Sequence, residues 1–232
     1  MMPLLPVKYD LMFQFRHGFY YAYTVVTLLY ILIVRFMPEL YQPMVVTLLL
    51  FSDPCIMGFF FVGAIIILER DQNIHQSLFV TPLTITKYLI SKSVVFAVLT
   101  LITGYVIVVF TIGLVNFLPL TISLFLSSIF FTLLGISASV RAKSLNRFLI
   151  LSPVYLLLFF APLMEYLNFF TLSLTYGMPS RATLVLLEGT FRPLSMGEWL
   201  YGVGFLLFSI FLAYLWAVKS YKDYIILGKG GI

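Results

Sequence analysis

Charge is what this sequence has least of. Of 232 residues only 10% are Asp, Glu, Lys or Arg, while 62% are hydrophobic. A soluble domain carries about 25% charged residues. Too few are present here to coat a soluble surface, so lipid is expected to cover most of the outside. Cysteine is nearly missing as well. Cys55 stands alone inside an apolar run, which excludes an intrachain disulfide framework or a cysteine metal centre. Cys55 is expected to pack against lipid or core. The two histidines, His17 and His75, have no carboxylate cluster beside them, so no metal site is expected and His75 reads as a solvated surface group. The sequence holds no G-x-x-x-x-G-K-[ST] phosphate loop, no G-x-S-x-G elbow and no H-E-x-x-H motif. No catalytic residue is therefore assigned, and ATP hydrolysis is not expected in this chain. The net charge is +5, but no basic cluster interleaved with aromatics accompanies it, which argues against a nucleic-acid partner. Repeats of 20–50 residues and low-complexity tracts are absent too.

What fills the chain is apolar sequence in long runs. A membrane-crossing helix needs about 20 such residues. The runs predict an all-α polytopic membrane protein, a single domain over 1–232 with six crossings at 19–36, 44–68, 88–117, 120–140, 148–164 and 199–218. The run 88–117 is too long for one crossing at about 1.5 Å per residue, so its first turns are expected to project into water. Residues 4–17 set Leu4, Val7, Leu11, Met12 and Phe15 against Lys8, Asp10, Gln14 and Arg16. That mixture predicts an amphipathic helix on the membrane surface. No small-residue cleavage site follows it, so the first helix is expected to be retained.

Basic residues give the orientation. Of 14 lysines and arginines, eleven fall in the N-terminal segment, around the connectors after the second and fourth crossings, and in the tail; Arg35, Arg181 and Arg192 fall on the other side. Both termini are therefore expected in the cytoplasm. The segment 165–198 would then lie outside. It is punctuated by Gly177, Pro179, Gly189 and Pro193, and its apolar stretch 183–187 could dip back into the membrane if protein buries its backbone. An external lid and a structural cap both remain open.

Asp53 is the one carboxylate expected deep in a crossing, beside Pro54. A charge there costs a few kcal/mol, so it should face protein, water or a partner helix. A substrate contact, a proton site, a hinge and a structural carboxyl bonded to Ser52 or to a neighbouring helix all fit. Asp53→Asn is expected to disturb transport or folding far more than Glu39→Gln. Small residues in the fourth crossing (Gly135, Ser137, Ala138, Ser139) and the last (Gly202, Gly204, Ser209, Ala213, Ala217) are expected to let helices approach closely.

The connector 69–86 is the most informative stretch. Asp71 can cap a short helix whose Ile74, Leu78 and Phe79 share a face, ended by Thr81-Pro82. Thr84 or Thr86 can cap the next helix. An amphipathic element of this kind is a natural handle for a soluble partner. A plain surface loop is the other reading.

The run Glu69-Arg70-Asp71, then Thr81-Pro82-Leu83-Thr84, then Lys87-Tyr88-Leu89-Ile90-Ser91-Lys92 resembles the permease subunits of type-2 ATP-binding cassette (ABC) exporters. The N-terminal Lys8-Tyr9-Asp10 and Gln14-Phe15-Arg16-His17-Gly18-Phe19-Tyr20 resemble the fluoroquinolone-export subgroup. The resemblance spans essentially the whole chain. It implies two permeases side by side in a plasma membrane, as in bacteria, each bound to a separate cytoplasmic ATPase subunit that holds ATP and Mg. Glu69, Arg70, Asp71, Ile74, Leu78, Phe79, Thr81 and Pro82 would then form the coupling element. Replacing Glu69 or Asp71 with Lys is expected to uncouple transport without blocking insertion. A proton- or ion-coupled carrier using Asp53 is the alternative.

Overall fold

The computed structural model describes residues 4–53, 58–72, 74, 84–167, 169 and 173–228. Among the described residues there is no β-strand. Helix α1 spans Leu4–Arg16 and α2 spans Phe19–Arg35. Gly18 joins them at φ 79°, a left-handed conformation that glycine adopts without a Cβ clash. The chain bends by 70° there. A 3-10 turn, Glu39–Tyr41, leads into α3 (Gln42–Ser52), and α4 covers Phe59–Asp71.

The long helices start at side-chain caps. Thr84 accepts from the Lys87 N–H at 3.4 Å and opens α5, Ile85–Thr111. Asn116 accepts from the Leu118 N–H at 3.3 Å and opens α6, Phe117–Ser139. Ser195 and Glu198 form a reciprocal capping box at the start of α10, Met196–Tyr221. A π-helical turn, Lys222–Ile226, continues it. Between α6 and α10 lie α7 (Leu145–Leu157), a 3-10 turn (Leu158–Phe160), α8 (Ala161–Tyr166), a second 3-10 turn (Ser173–Gly177) and α9 (Pro179–Glu188).

Three helices among the described residues are long and apolar enough to cross a membrane unaided: Ile85–Thr111, Phe117–Ser139 and Met196–Ile226. The bent pair α1–α2 makes a fourth if taken as one span. The remaining expected crossings are built from shorter pieces. Run 44–68 holds α3 and α4 on either side of residues 54–57, which lie outside the described residues together with Pro54 and Cys55. Run 148–164 is divided among α7, the 3-10 turn and α8. Pro153 inside α7 and Pro162 in the first turn of α8 each withhold a backbone donor, so one continuous helix is disfavoured.

Helix α6 is the hub, packed against α4, α5, α9 and α10. Gly135 lets α4 and α6 approach backbone to backbone: a Cβ there would stand 2.5 Å from the Phe59 carbonyl oxygen and 2.7 Å from Val62 Cγ1. Ser137, Ala138 and Ser139 are buried with it. Gly202 packs on Leu186 of α9, whereas Gly204 faces open space. Buried serines on α6 return hydrogen bonds to their own helix, Ser127 to the Ser123 carbonyl at 2.6 Å and Ser137 to the Leu133 carbonyl at 2.9 Å. Polar groups are thereby satisfied without water. Helix α9 is buried from Ala182 to Leu187 against α3, α6 and α10. The first turns of α5 do not stand free: Tyr88, Leu89, Ser91, Lys92 and Ser93 are buried, and α1 packs on this helix.

Candidate functional site

At the end of the bundle that carries α1, a charged cluster ties three helices together. Tyr88, Ser91 and Lys92 share one face of α5, as residues three and four apart do. The Lys92 Nζ lies 2.7 Å from Asp10 Oδ1 of α1 and 2.5 Å from Glu69 Oε1 of α4. Ser91 Oγ donates to Asp10 Oδ2 at 2.7 Å, and Tyr88 Oη donates to Glu69 Oε2 at 2.5 Å. Lys92 is fully buried, and its ammonium sits 5.3 Å from the Tyr88 ring centroid and 5.9 Å from that of Phe13. Each carboxylate thus has one cation and one hydroxyl donor. Such completeness is what a desolvated ion cluster needs if it is not to cost more than it returns. Gln14, one turn after Asp10, is buried with both amide atoms unbonded.

The coupling candidates separate at this cluster. Glu69 turns inward, so its carboxylate is an internal anchor and not a surface group. A lysine at 69 would face Lys92 in a buried site, and the expected Glu69→Lys test therefore becomes a test of folding. Arg70 donates to the carbonyls of Ala142 at 2.6 Å and Lys143 at 3.0 Å, holding α4 to the end of α6. Asp71 is exposed, 3.5 Å from Arg70 Nε. It is the last residue of α4; the short helix it was expected to cap falls mostly outside the described residues. Ile74 and Gln72 line an open cavity of about 840 Å³ with Arg16, His17 and Tyr20. Leu78, Phe79, Thr81, Pro82 and His75 lie outside the described residues. Thr84 caps α5 as expected, while Thr86 Oγ1 is 2.9 Å from Tyr214 Oη of α10. Nearby, the Arg141 guanidinium stacks 4.8 Å from the Trp216 ring and bonds Ser220 Oγ at 3.0 Å.

A second polar group lies inside the bundle. Asp53, at the end of α3, is buried and accepts one hydrogen bond, from Thr103 Oγ1 of α5 at 2.8 Å. Thr100 Oγ1 and Ser128 Oγ meet at 3.2 Å, as do Tyr30 Oη and Ser52 Oγ. Glu39, by contrast, is exposed.

The opposite end is closed by arginines. Arg192 bonds Glu188 and Glu198, each at 2.6 Å. Hydrogen bonds with Glu198 and then Glu188 hold its guanidinium proton above the usual arginine range. Arg181 lies 3.4 Å from Glu165, which also accepts from Thr175. Arg35 donates to the Phe110 carbonyl at 3.0 Å, joining α2 to α5.

Residues 4–229 match the fluoroquinolones export permease protein family. The chain belongs to this family. It is therefore a membrane transport permease. Two curated relatives from Mycobacterium tuberculosis, strains CDC 1551 / Oshkosh and ATCC 25618 / H37Rv, are each named a fluoroquinolones export permease protein. Each is 27% identical over 198 residues, which is 84% of this chain and 84% of the relative. Within the permease, sequence reasoning missed the pairing of Lys92 with Asp10. A lysine and an aspartate on helices far apart in sequence carry no mutual signal. The available hint was Lys92 itself, a charge one turn beyond Tyr88 at the start of an apolar run.

Proposed function

We propose that this permease is the membrane subunit of an ATP-driven exporter of amphiphilic or hydrophobic compounds, fluoroquinolones among them. A separate cytoplasmic ABC ATPase, holding ATP and Mg, supplies the energy, and two permease copies pair in the plasma membrane. The chain crosses the membrane six times with both termini inside, and the segment before α10 lies outside. Residues 69–86 dock on the ATPase. The observation that carries this reading is the Lys92 cluster. Asp10 of α1 and Glu69 of α4 meet on one ammonium of α5, so both helices flanking the segment 72–84 and the N-terminal helix move as one body. A push on that segment reaches the bundle through this body. Direction comes from the partner's different affinity for two permease states.

The test is reconstitution with the neighbouring ATPase in inverted vesicles. Uptake of a fluoroquinolone is expected only with ATP and the ATPase together. Uptake driven by a proton gradient without the ATPase would replace this reading with a carrier using Asp53. Asp71→Lys, at an exposed site, is expected to lower ATPase co-purification and uptake while the permease still inserts and folds. Wild-type co-purification and uptake would remove Asp71 from the docking element.

A further inference from the structure

The two ends of the bundle differ in how their charges are matched. At the end that holds α9 and the start of α10, Arg181 and Arg192 meet Glu165, Glu188 and Glu198. At the other end Arg141, Lys143, Arg147, Lys219 and Lys222 form no ion pair among the described residues. Basic groups left over on one face attract anions from outside the chain.

Arg141 is half-buried in the fold, whereas Lys143, Arg147, Lys219 and Lys222 are exposed. Its guanidinium carbon lies 4.8 Å from the Trp216 ring centroid and 5.6 Å from that of Tyr224, and Nη2 donates to Ser220 Oγ at 3.0 Å. Nε is buried without a partner. Asp223, on the turn after Ser220, is not within ion-pair distance of it. The loop that carries Arg141 is itself held, because Arg70 donates to the carbonyls of Ala142 and Lys143. Two rings and one hydroxyl thus fix a planar cation before any ligand arrives, and its unbonded N–H groups suit the oxygens of a phosphate. A ligand must come from outside the bundle. On the inner side, the cleft between Arg141, Phe148, Leu151 and Tyr155 offers about 10 Å³, room for no more than one water.

The surroundings of Arg141 are those of a membrane boundary. Phe208, Phe211, Leu212 and Leu215 run exposed along α10 up to Trp216. Tryptophan and tyrosine favour the level where acyl chains meet headgroups, and basic groups beside them on the cytoplasmic side recognise anionic headgroups. We propose that Arg141 binds the phosphate of an anionic phospholipid. Trp216, Tyr224 and Ser220 hold the guanidinium in place, and Lys143, Lys219 and Lys222 add attraction around it. The apolar strip leading to the site favours a lipid over an acidic patch on a soluble protein. The orientation proposed above assigns the headgroup to the inner leaflet; drug export and the ATPase play no part in the inference.

The experiment is quenching of Trp216 fluorescence by brominated lipid around the reconstituted full-length permease. The chain has two tryptophans, so Trp199→Phe, at the far end of α10, leaves Trp216 as the reporter. Brominated phosphatidylglycerol and brominated phosphatidylcholine are compared at equal mole fraction; the second carries the same phosphate cancelled by a quaternary ammonium. The anionic lipid is expected to occupy the place beside Trp216 about fivefold more strongly. With Arg141→Gln added, the ratio should fall close to one. Equal quenching by the two lipids while Arg141 is present would overturn the proposal, and that comparison does not depend on the Arg141 variant folding. A preference that survives in folded Arg141→Gln would overturn it as well. Erasure of the preference by millimolar glycerol phosphate would mark a site for free phosphate and overturn the lipid assignment. Equal quenching together with lost ATPase co-purification in Arg141→Gln would give this surface to the ATPase instead. Absence of drug uptake changes none of these readouts, so the export reading and this proposal fail separately.

Discussion

Lys92 shows how one side chain can decide both stability and coupling. It serves two carboxylates, so its loss leaves both Asp10 and Glu69 buried without a cation. Removing one partner of a buried ion pair costs roughly 3–5 kcal/mol. Lys92→Met is therefore expected to lower the thermal midpoint of the detergent-purified permease sharply. Glu69→Gln leaves one carboxylate for one ammonium and keeps an oxygen for the Tyr88 hydroxyl, so its midpoint should fall much less. A scanning fluorimetry comparison checks the order, and equal losses would contradict it. Asp71 and Glu69 are two residues apart, yet one is exposed and the other sealed. The motif Glu69-Arg70-Asp71 thus contains an internal anchor, a tie to the loop after α6 and one outward group.

At the scale of elements, close approach is set by small residues whose neighbours differ in how far they can yield. A methyl on Gly135 would strike the Phe59 backbone at 2.5 Å. A methyl on Gly104 would strike the far end of Leu124, Cδ1 at 2.3 Å, which can rotate away. Gly135→Ala is expected to cost about 1–3 kcal/mol by overpacking, and Gly104→Ala less. Folded yield and midpoint of the two variants measure this directly. The prolines act at the same scale. Pro153 and Pro162 divide what hydropathy reads as one crossing.

For the whole molecule, the outer faces of α2 and α10 present Leu28, Leu32, Leu207, Phe208, Phe211 and Leu215 to the outside. Apolar side chains of that size fit lipid or a second copy better than water. The proposed orientation predicts a sidedness. On a Cys55→Ala background, Met196→Cys, 85% exposed, should react with a membrane-impermeant maleimide added to intact cells. Lys143→Cys, exposed at the other end, should react only after the membrane is opened. The reverse pattern would invert the topology and remove the segment 69–86 from the reach of a cytoplasmic ATPase.

Composition and periodicity alone determined that this chain lives in lipid as helices and placed the starts of its long helices within three residues, at 88, 120 and 199 against Ile85, Phe117 and Met196. Those properties are local: Thr84, Asn116 and Ser195 cap helices through groups two or three residues away, and hydropathy needs only a short window. The sharing of Lys92 by Asp10 and Glu69 was decided only when the helices packed, as was the burial of Glu69 beside an exposed Asp71. So was the approach of Thr103 to an otherwise unmatched Asp53. Direction of burial depends on which helix lies alongside, and pairing across 81 positions, as between Ser91 and Asp10, leaves no trace in either neighbourhood.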